Sequence, residues 1–411
     1  MKKLVPKRRF EGFTDPWEQR KLGEVAKFSK GRGYSKNDLT EEGTPIILYG
    51  SLYTNYQTII NEVNTFTVDK VNSVYSSGNE VVVPSSGESA EDIARASAIV
   101  NKGIILGGDL NIIHSNSNID PIFLALLISN GERKIELAKK AQGKSVVHLY
   151  NTDLEEVNLI YPTREEQTKI GIFFSNIDKL ITLHQRKLNK LKATKSAYLS
   201  EMFPKEGELY PKRRFAGFTE PWEVRKLGEI GKTYTGLSGK TKEDFGHGQA
   251  EFVTYLNVFN NSISNERQTE NVEIDTRQNE VEYGDIFFTT SSETPEEVGM
   301  SSVWLSSKQN VYLNSFCFGF RPVEKINPYY MAYMLRSSGI RKLFQILAQG
   351  ISRYNISKTK AMDISVMIPT MEEQAKIGVF FTNLDSLITT QQSKLEKLQA
   401  LKQAYLSEMF V

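Results

Sequence analysis

Two stretches carry residue types that could do chemistry. Gly236-Leu237-Ser238-Gly239-Lys240-Thr241 ends as a phosphate-binding loop ends, where backbone N–H groups cradle phosphates and a lysine neutralises them. That pattern needs a glycine where Tyr234 stands, and no strand-to-helix context surrounds it, so the stretch reads as a flexible basic loop. Asn327-Pro328-Tyr329-Tyr330 approaches the Asn-Pro-Pro-aromatic tetrapeptide of amino-methyltransferases but lacks one proline. Its counterpart, Asp120-Pro121-Ile122-Phe123, has no asparagine at all, and an Asx N-cap with proline at the first helical position accounts for both. His114, His148, His184 and His247 form no ligand spacing, and no glycine-rich loop for S-adenosylmethionine is apparent. No Ser-His-Asp or Cys-His constellation has sequence support, and the many carboxylates fall on predicted helix faces or turns, where solvated charge is the default. Cys317 is the single cysteine, which excludes a disulfide within the chain and a thiolate zinc cluster; within Phe316-Cys317-Phe318 it reads as a buried strand residue. By its own residues the chain looks catalytically empty.

What remains is binding. Basic residues interleave with aromatic and small polar ones in two early loops: Lys27, Lys30, Arg32, Tyr34 and Lys36, then Lys232, Tyr234, Lys240 and Lys242. Short apolar strands end in polar turns that carry Ser85 and Ser86 in the first half and Thr290 and Ser291 in the second. A further set flanks two Ala-Gln-Gly turns: Lys139, Lys140, Gln142 and Lys144, matched by Gln349, Arg353, Tyr354, Lys358 and Lys360. Lysine and arginine neutralise phosphates, while Arg, Gln, Ser and Thr can read base edges in a major groove. Any one of these residues is more simply a solvated charge or polar group; the set is what suggests duplex DNA.

Such loops need a frame, and the frame is a stretch present twice. Glu165–Phe203 and Glu372–Phe410 align at an offset of 207 with 27 of 39 residues identical. Apolar positions step alternately by four and three along Ile170, Phe174, Ile177, Ile181, Leu188, Leu191 and Tyr198. The same steps recur at Ile377, Phe381, Leu384, Ile388, Leu395, Leu398 and Tyr405. This is a heptad seam, and with Thr163 or Thr370 as N-cap and no internal proline each copy predicts one helix on the order of 60 Å long. Each helix needs a partner, and each copy supplies one for the other. His184 with Gln391 and Lys195 with Lys402 are polar seam positions, expected to fix register, the lysines reaching solvent on long stems.

A second repeated block, Pro6–Glu24 and Pro211–Glu229, matches at 16 of 19 positions and carries Trp17 or Trp222 as a packing anchor. Between leading block and helix the halves diverge, over 25–160 and 230–367, yet keep one skeleton of strand, turn, Asx-Pro helix and Ala-Gln-Gly turn. The reading divides the chain into a globular domain at 1–160 with leading block 6–24, a long helix at 161–204, a second domain at 205–368 with leading block 211–229, and a second helix at 369–411. The fold class is α+β: two similar domains of mixed strands and helices alternating with two long helices that pair as an antiparallel coiled coil with approximate two-fold symmetry. At 411 residues there is room for two cores. The net charge of +2, from 51 basic and 49 acidic residues, confines any electrostatic footprint to local patches. No apolar run approaches the roughly 18 residues of a membrane span, and nothing at the N-terminus reads as a signal peptide, so a cytoplasmic protein is expected.

Two variable domains alternating with nearly identical long helices, together with Pro-Thr-x-Glu-Glu-Gln-x-Lys-Ile-Gly at 162–171 and 369–378, closely resemble the specificity subunit of Type I restriction-modification systems across the whole chain. The resemblance implies two target recognition domains, each reading half of a split duplex sequence, with the paired helices as spacer. It implies two modification subunits that use S-adenosylmethionine to methylate adenine, and restriction subunits that use ATP and magnesium, with no cofactor bound by this chain and no enzyme activity of its own. A protein-binding scaffold with two variable surfaces and a self-sufficient nuclease or methyltransferase are the competing classes.

Overall fold

The computed structural model describes residues 5–143 and 146–411. It falls into two compact units, Met1–Gln185 with Ser393–Val411, and Arg186–Gln392. The predicted long helices are present at Arg164–Glu201 and Met371–Met409, and each unit takes a part of both.

In the first unit the leading block contributes a strand, Glu18–Lys21, that pairs antiparallel with Asn158–Tyr161 immediately before the long helix. The block therefore closes the domain onto the point where the helix departs. The central sheet runs Ala26–Lys30, Leu110–Ser115, Glu80–Pro84, Ser97–Ile99 and Ile59–Ile60 in that order, antiparallel except for the last pair. Glu80–Pro84 is buried along its whole length, because the Pro121–Ser129 helix packs beside it as an apolar rod with Phe123 to Ile128 all buried. A second sheet is built around Thr44–Ile47 and Lys102–Leu106. The second unit repeats the scheme: Glu223–Lys226 pairs with Ser365–Ile368, and a central sheet runs Gly231–Thr235, Cys317–Pro322, Ile286–Thr289 and Ser301–Val303. Asp120 and Asn327 cap the Asx-Pro helices as expected, accepting from Phe123 N at 3.1 Å and Tyr330 N at 3.2 Å.

The repeated Glu-Glu-Gln explains itself here. Glu166 is fully buried and takes two hydrogen bonds from the Arg9 guanidinium, both at 2.7 Å; Glu373 takes two from Arg214, both at 2.8 Å. Gln167 Oε1 accepts from Asp120 N at 2.8 Å while its amide donates to the Pro162 and Asn118 carbonyls. Gln374 does the same with Asn327 N and Pro369 O, both at 2.9 Å. One turn of helix thus ties together the leading block, the cap of the Asx-Pro helix and the long helix. For Glu166 and Glu373 the expectation of solvated carboxylates is corrected. A charge at the start of a helix, facing a fork of donors, can be withdrawn from water because each oxygen is paired.

Trp17 and Trp222 are anchors, each 2% exposed. Trp17 meets Phe123 edge-on, and Phe123 stacks on Phe410, which lies 6.0 Å from Phe174. The image of this knot in the second unit is Trp222, Tyr330, Phe203 and Phe381. Within each unit, then, the end of one long helix is planted beside the beginning of the other, and the helices run antiparallel. Tyr405 against Phe173 and Tyr198 against Phe380 repeat the same sense. The seam positions Ile170, Phe174, Ile177, Ile377, Phe381 and Leu384 belong to the main cores of the units, so the seam begins inside the domains rather than beyond them. Leu188 and Leu395 are buried further along, and Ile181, Leu191, Tyr198, Ile388, Leu398 and Tyr405 are partly buried.

Lys195 and Lys402 do not run out into solvent, contrary to the sequence reading. Lys195 Nζ lies 2.5 Å from Asp385 Oδ1 and Lys402 Nζ 2.5 Å from Asp178 Oδ1, two cross-helix pairs that are images of each other under the 207-residue offset. Cys317 is buried, as expected, and burial pushes its thiol up to about 12. The neighbouring Phe316 is not buried with it but 59% exposed.

Glu373→Ala leaves Arg214 unpaired in a buried corner and lowers stability by about 3 to 5 kcal/mol, whereas Lys169→Ala, which removes an exposed helix pair with Glu165, costs under about 0.5 kcal/mol. Leu395→Ala, 3% exposed on the seam, costs about 2 to 5 kcal/mol. Urea unfolding of the whole chain measures all three. A thiol reagent at neutral pH leaves Cys317 unmodified in the native chain and modifies it in denaturant; rapid native labelling contradicts its burial.

Candidate nucleic-acid interface

Strand register decides which loops meet. In the first unit Lys30 sits opposite Asn111 and Leu110 opposite Pro84, so three strands present their ends together at one edge of the central sheet. The chain leaves this edge at Gly31, whose N–H donates to Leu110 O at 3.0 Å; a Cβ there would lie 1.9 Å from the Gly107 carbonyl oxygen, so only glycine fits. Gly236 repeats the arrangement, with a Cβ position 2.1 Å from Asn314 O and the next residue, Leu237, donating to Leu313 O.

From the same rim a short rung extends. Ser86 pairs with His148, and Ser291 with Asn355. The Ala-Gln-Gly turns hang from these rungs: Gln142 and His148 exchange backbone hydrogen bonds at 3.0 and 2.8 Å, and so do Gln349 and Asn355. Gly143 and Gly350 close the turns at φ of 138° and 144°, a left-handed conformation that a side chain would strain. Tyr53 and Tyr255 donate their hydroxyls to the carbonyls of Ser86 at 2.9 Å and Ser291 at 2.7 Å, fixing the rungs from a short helix in each unit.

The structure therefore gathers Lys30, Arg32, Ser85, Ser86 and Gln142 on one rim, and Thr290, Ser291, Gln349, Arg353 and Tyr354 on its counterpart. Lys36 and Lys242 stand exposed on matching single turns, Lys36–Asp38 and Lys242–Asp244, in which the Asp38 and Asp244 carboxylates accept from the N–H and hydroxyl of the preceding Ser35 and Thr241. Other candidates are not all brought to a rim. Lys140 donates to Glu156 at 2.9 Å beside exposed Lys139, and Lys360 lies on the helix Lys358–Met362, whose Met362 packs on Gly228; Lys358 opens that helix two residues after Ile356, whose N–H reaches the Thr290 carbonyl. Lys144 lies outside the described residues.

Several candidates do structural work instead. Tyr34 is 8% exposed, with its hydroxyl 2.5 Å from Ser73 Oγ and accepting from Lys70 N at 2.7 Å. Ser85, Ser86 and Ser291 are buried, so they support the rim from beneath and do not project from it. The Lys240 ammonium is 3.1 Å from Asp275, and Asp275 is held well below the usual carboxylate range by Arg277 first and Lys240 second. Lys70 and the Ser35 N–H bring Asp38 down to about 2. Thr290 Oγ1 spends its proton on the Phe316 carbonyl at 2.8 Å.

Sequence reading missed an aromatic surface on the first rim and an aromatic tip on the second. Tyr150 is exposed, stacks on His148 with ring centres 6.3 Å apart, and carries the Lys30 ammonium 5.4 Å above its face. In the second unit Phe316 and Ile351 are exposed beside the rim turns. The alternation His148-Leu149-Tyr150, which puts the two rings on one side of the chain, is the signal that could have found Tyr150; nothing in the sequence marks Phe316, which a turn before Cys317 exposes. Among the described residues no group of three or more His, Cys, Asp or Glu is gathered as a metal ion requires, and no helix is long and apolar enough to cross a membrane.

Comparison with known proteins matches this architecture. The family of Type I restriction modification DNA specificity domains matches twice, over residues 14–193 and 219–400, each match taking in one variable domain and most of the helix that follows. The Type I restriction enzyme MjaVIII specificity subunit of Methanocaldococcus jannaschii is 22% identical over 94% of this chain and 90% of its own length. A putative MjaX specificity subunit of the same organism is 26% identical over 49% of this chain, which spans about half (48%) of that relative. Among solved structures, the S subunit of a Type I restriction-modification system from M. genitalium shares the fold with a TM-score of 0.61 at 16% identity, covering 99% of both chains. A chain from a study of complex assembly and conformational transition of the type I R-M system shares it at 0.54, covering 96% of this chain and 97% of that one. With both repeats matched over most of its length, the chain belongs to the Type I restriction modification DNA specificity family.

Proposed function

We propose that this chain selects the DNA site for a Type I restriction-modification complex. Each rim reads one half of a split duplex sequence, and the two long helices serve as the ruler between the halves. The observation that carries the reading is the rim itself, built twice on one plan of strand ends, glycine turn, rung and Ala-Gln-Gly turn, but furnished with different side chains. A repeated frame with divergent surface residues suits two acts of the same kind of recognition on different targets. Basic groups at Lys30, Arg32 and Lys36, and at Lys242 and Arg353, suit phosphate positioning and base-edge contact, in a chain whose net charge is only +2.

In this reading the chain carries no chemistry. S-adenosylmethionine-dependent methylation of adenine, which requires the base to leave the stack, belongs to two modification subunits; ATP- and magnesium-dependent translocation and cleavage belong to restriction subunits. The assembly works on cytoplasmic DNA. MjaVIII, whose relationship spans nearly the whole chain, bears the name of a Type I specificity subunit, and this supports the reading.

Exchange of residues 25–160 for the corresponding region of a relative tests it: methylation-site mapping then shows one half of the recognised sequence changed and the other retained. Affinity for duplex DNA falls linearly with salt on a log-log scale, whereas a protein-binding scaffold shows no such slope. One heptad inserted into both long helices lengthens the gap between half-sites and leaves both half-sequences as they were; an unaltered gap contradicts the ruler. Arg353→Ala relaxes one half-site by about 1 to 3 kcal/mol of discrimination with unchanged thermal stability, read by competition between cognate and single-mismatch duplexes.

A further inference from the structure

We propose that Phe316 is a specificity residue of the second unit, which selects a thymine by packing its ring against the C5-methyl group in the major groove. The inference rests on the DNA-reading function proposed above and goes beyond it by assigning one side chain to one base substituent.

Phe316 sits between the strand Val311–Leu313 and the strand Cys317–Pro322, at the rim from which Gly236 departs. Phe316 is 59% exposed, while Cys317 and Phe318 beside it are buried. An exposed phenylalanine alone means little, since single apolar residues are common on surfaces. What sets this one apart is how firmly its backbone is held. The Phe316 N–H donates to Asn314 Oδ1 at 2.9 Å, and the Phe316 carbonyl accepts both the Thr290 N–H at 3.0 Å and the Thr290 hydroxyl at 2.8 Å. Asn314 is anchored in turn, its amide donating to Val253 O at 3.0 Å and to Cys317 Sγ. Three hydrogen bonds and a buried asparagine therefore fix the backbone that presents this ring, so little backbone freedom is left to lose on binding.

Its place on the rim is equally defined. Thr290 joins Phe316 on one side to the recognition turn on the other, because the Ile356 N–H donates to the Thr290 carbonyl at 3.0 Å, one residue after the rung residue Asn355. The counterpart of this contact in the first unit runs from Ser85 N–H to the carbonyl of Asp109, at 2.8 Å. The same backbone position therefore carries a carboxylate in one unit and an aromatic ring in the other, a difference of chemistry on a constant frame. Facing a groove, an apolar ring has one distinctive partner among the base edges, the thymine methyl, whereas the other major-groove features are hydrogen-bond donors and acceptors. Thr290, with its proton spent on the Phe316 carbonyl, is a positioning residue and not a reader.

The test uses the complex of this chain with its modification subunits, on cognate duplexes in which each thymine of the second unit's half-site is replaced singly by deoxyuridine. At one position deoxyuridine weakens the wild-type complex about fourfold, the worth of one buried methyl group. Phe316→Ala weakens binding and methylation of the cognate site about tenfold and is indifferent to deoxyuridine at that position; Phe316→Leu keeps part of the preference. Thr290→Val loosens the tip and gives an intermediate effect. Because the ring is exposed, Phe316→Ala retains the wild-type unfolding midpoint. Wild-type binding by Phe316→Ala overturns the inference, and so does a deoxyuridine penalty equal in both proteins at every thymine, which would point to an inserted ring or a shape effect. A wild-type complex that binds no duplex selectively overturns the DNA-reading function itself, a distinct result.

Discussion

A carboxylate buried at the start of each long helix is the constraint on which the rest of the structure depends. Glu166 and Glu373 can leave water only because Arg9 and Arg214 face them with paired donors. The neighbouring glutamines can only complete the corner if the Asx-Pro helices arrive at a fixed height. That fixes where the leading block crosses, where the apolar rod Pro121–Ser129 begins, and from which point the long helix sets out. A corner of this kind is costly to half-build, since either charge alone in the interior is strongly unfavourable. It therefore specifies one junction of domain and helix, twice.

From that junction outward, the frame and the rims obey different pressures. Residues that close the corner, the aromatic knots and the cross-helix pairs Lys195–Asp385 and Lys402–Asp178 recur almost residue for residue. The rims recur only as backbone. Gly31 and Gly236 turn against a carbonyl, Gly143 and Gly350 adopt the same left-handed conformation, and Tyr53 and Tyr255 hold the same carbonyl, yet the groups displayed differ: Lys30 over Tyr150 and His148 in one unit, Arg353, Phe316 and Ile351 in the other. Keeping backbone geometry while exchanging side chains is how a recognition surface changes its target without rebuilding its support.

Much of this was legible in the residues. The four-three steps of the seam, the offset repeat and the Asx-Pro caps each report a local rule, and local rules survive folding: the helices begin where Thr163 and Thr370 stand, and Asp120 and Asn327 cap. Two kinds of statement were not legible. Charged residues default to solvent in any sequence reading, so Glu166, Lys195 and Lys402, whose partners lie far away along the chain, were placed in water. Exposure within a loop depends on long-range contacts, so Tyr34 and Lys240 look available in the sequence although Ser73 and Asp275 occupy them, and nothing in the sequence marks Phe316 as exposed beside the buried Cys317.

The central claim, that two rims on one frame read two separate pieces of duplex DNA, is tested most directly by mapping methylated adenines genome-wide in cells that carry this chain with its modification subunit as their only adenine methylation system. The account predicts a single bipartite motif, two short defined sequences separated by a gap of constant length and free composition. Methylation at an uninterrupted motif, at two motifs occurring independently, or at no defined sequence would contradict it.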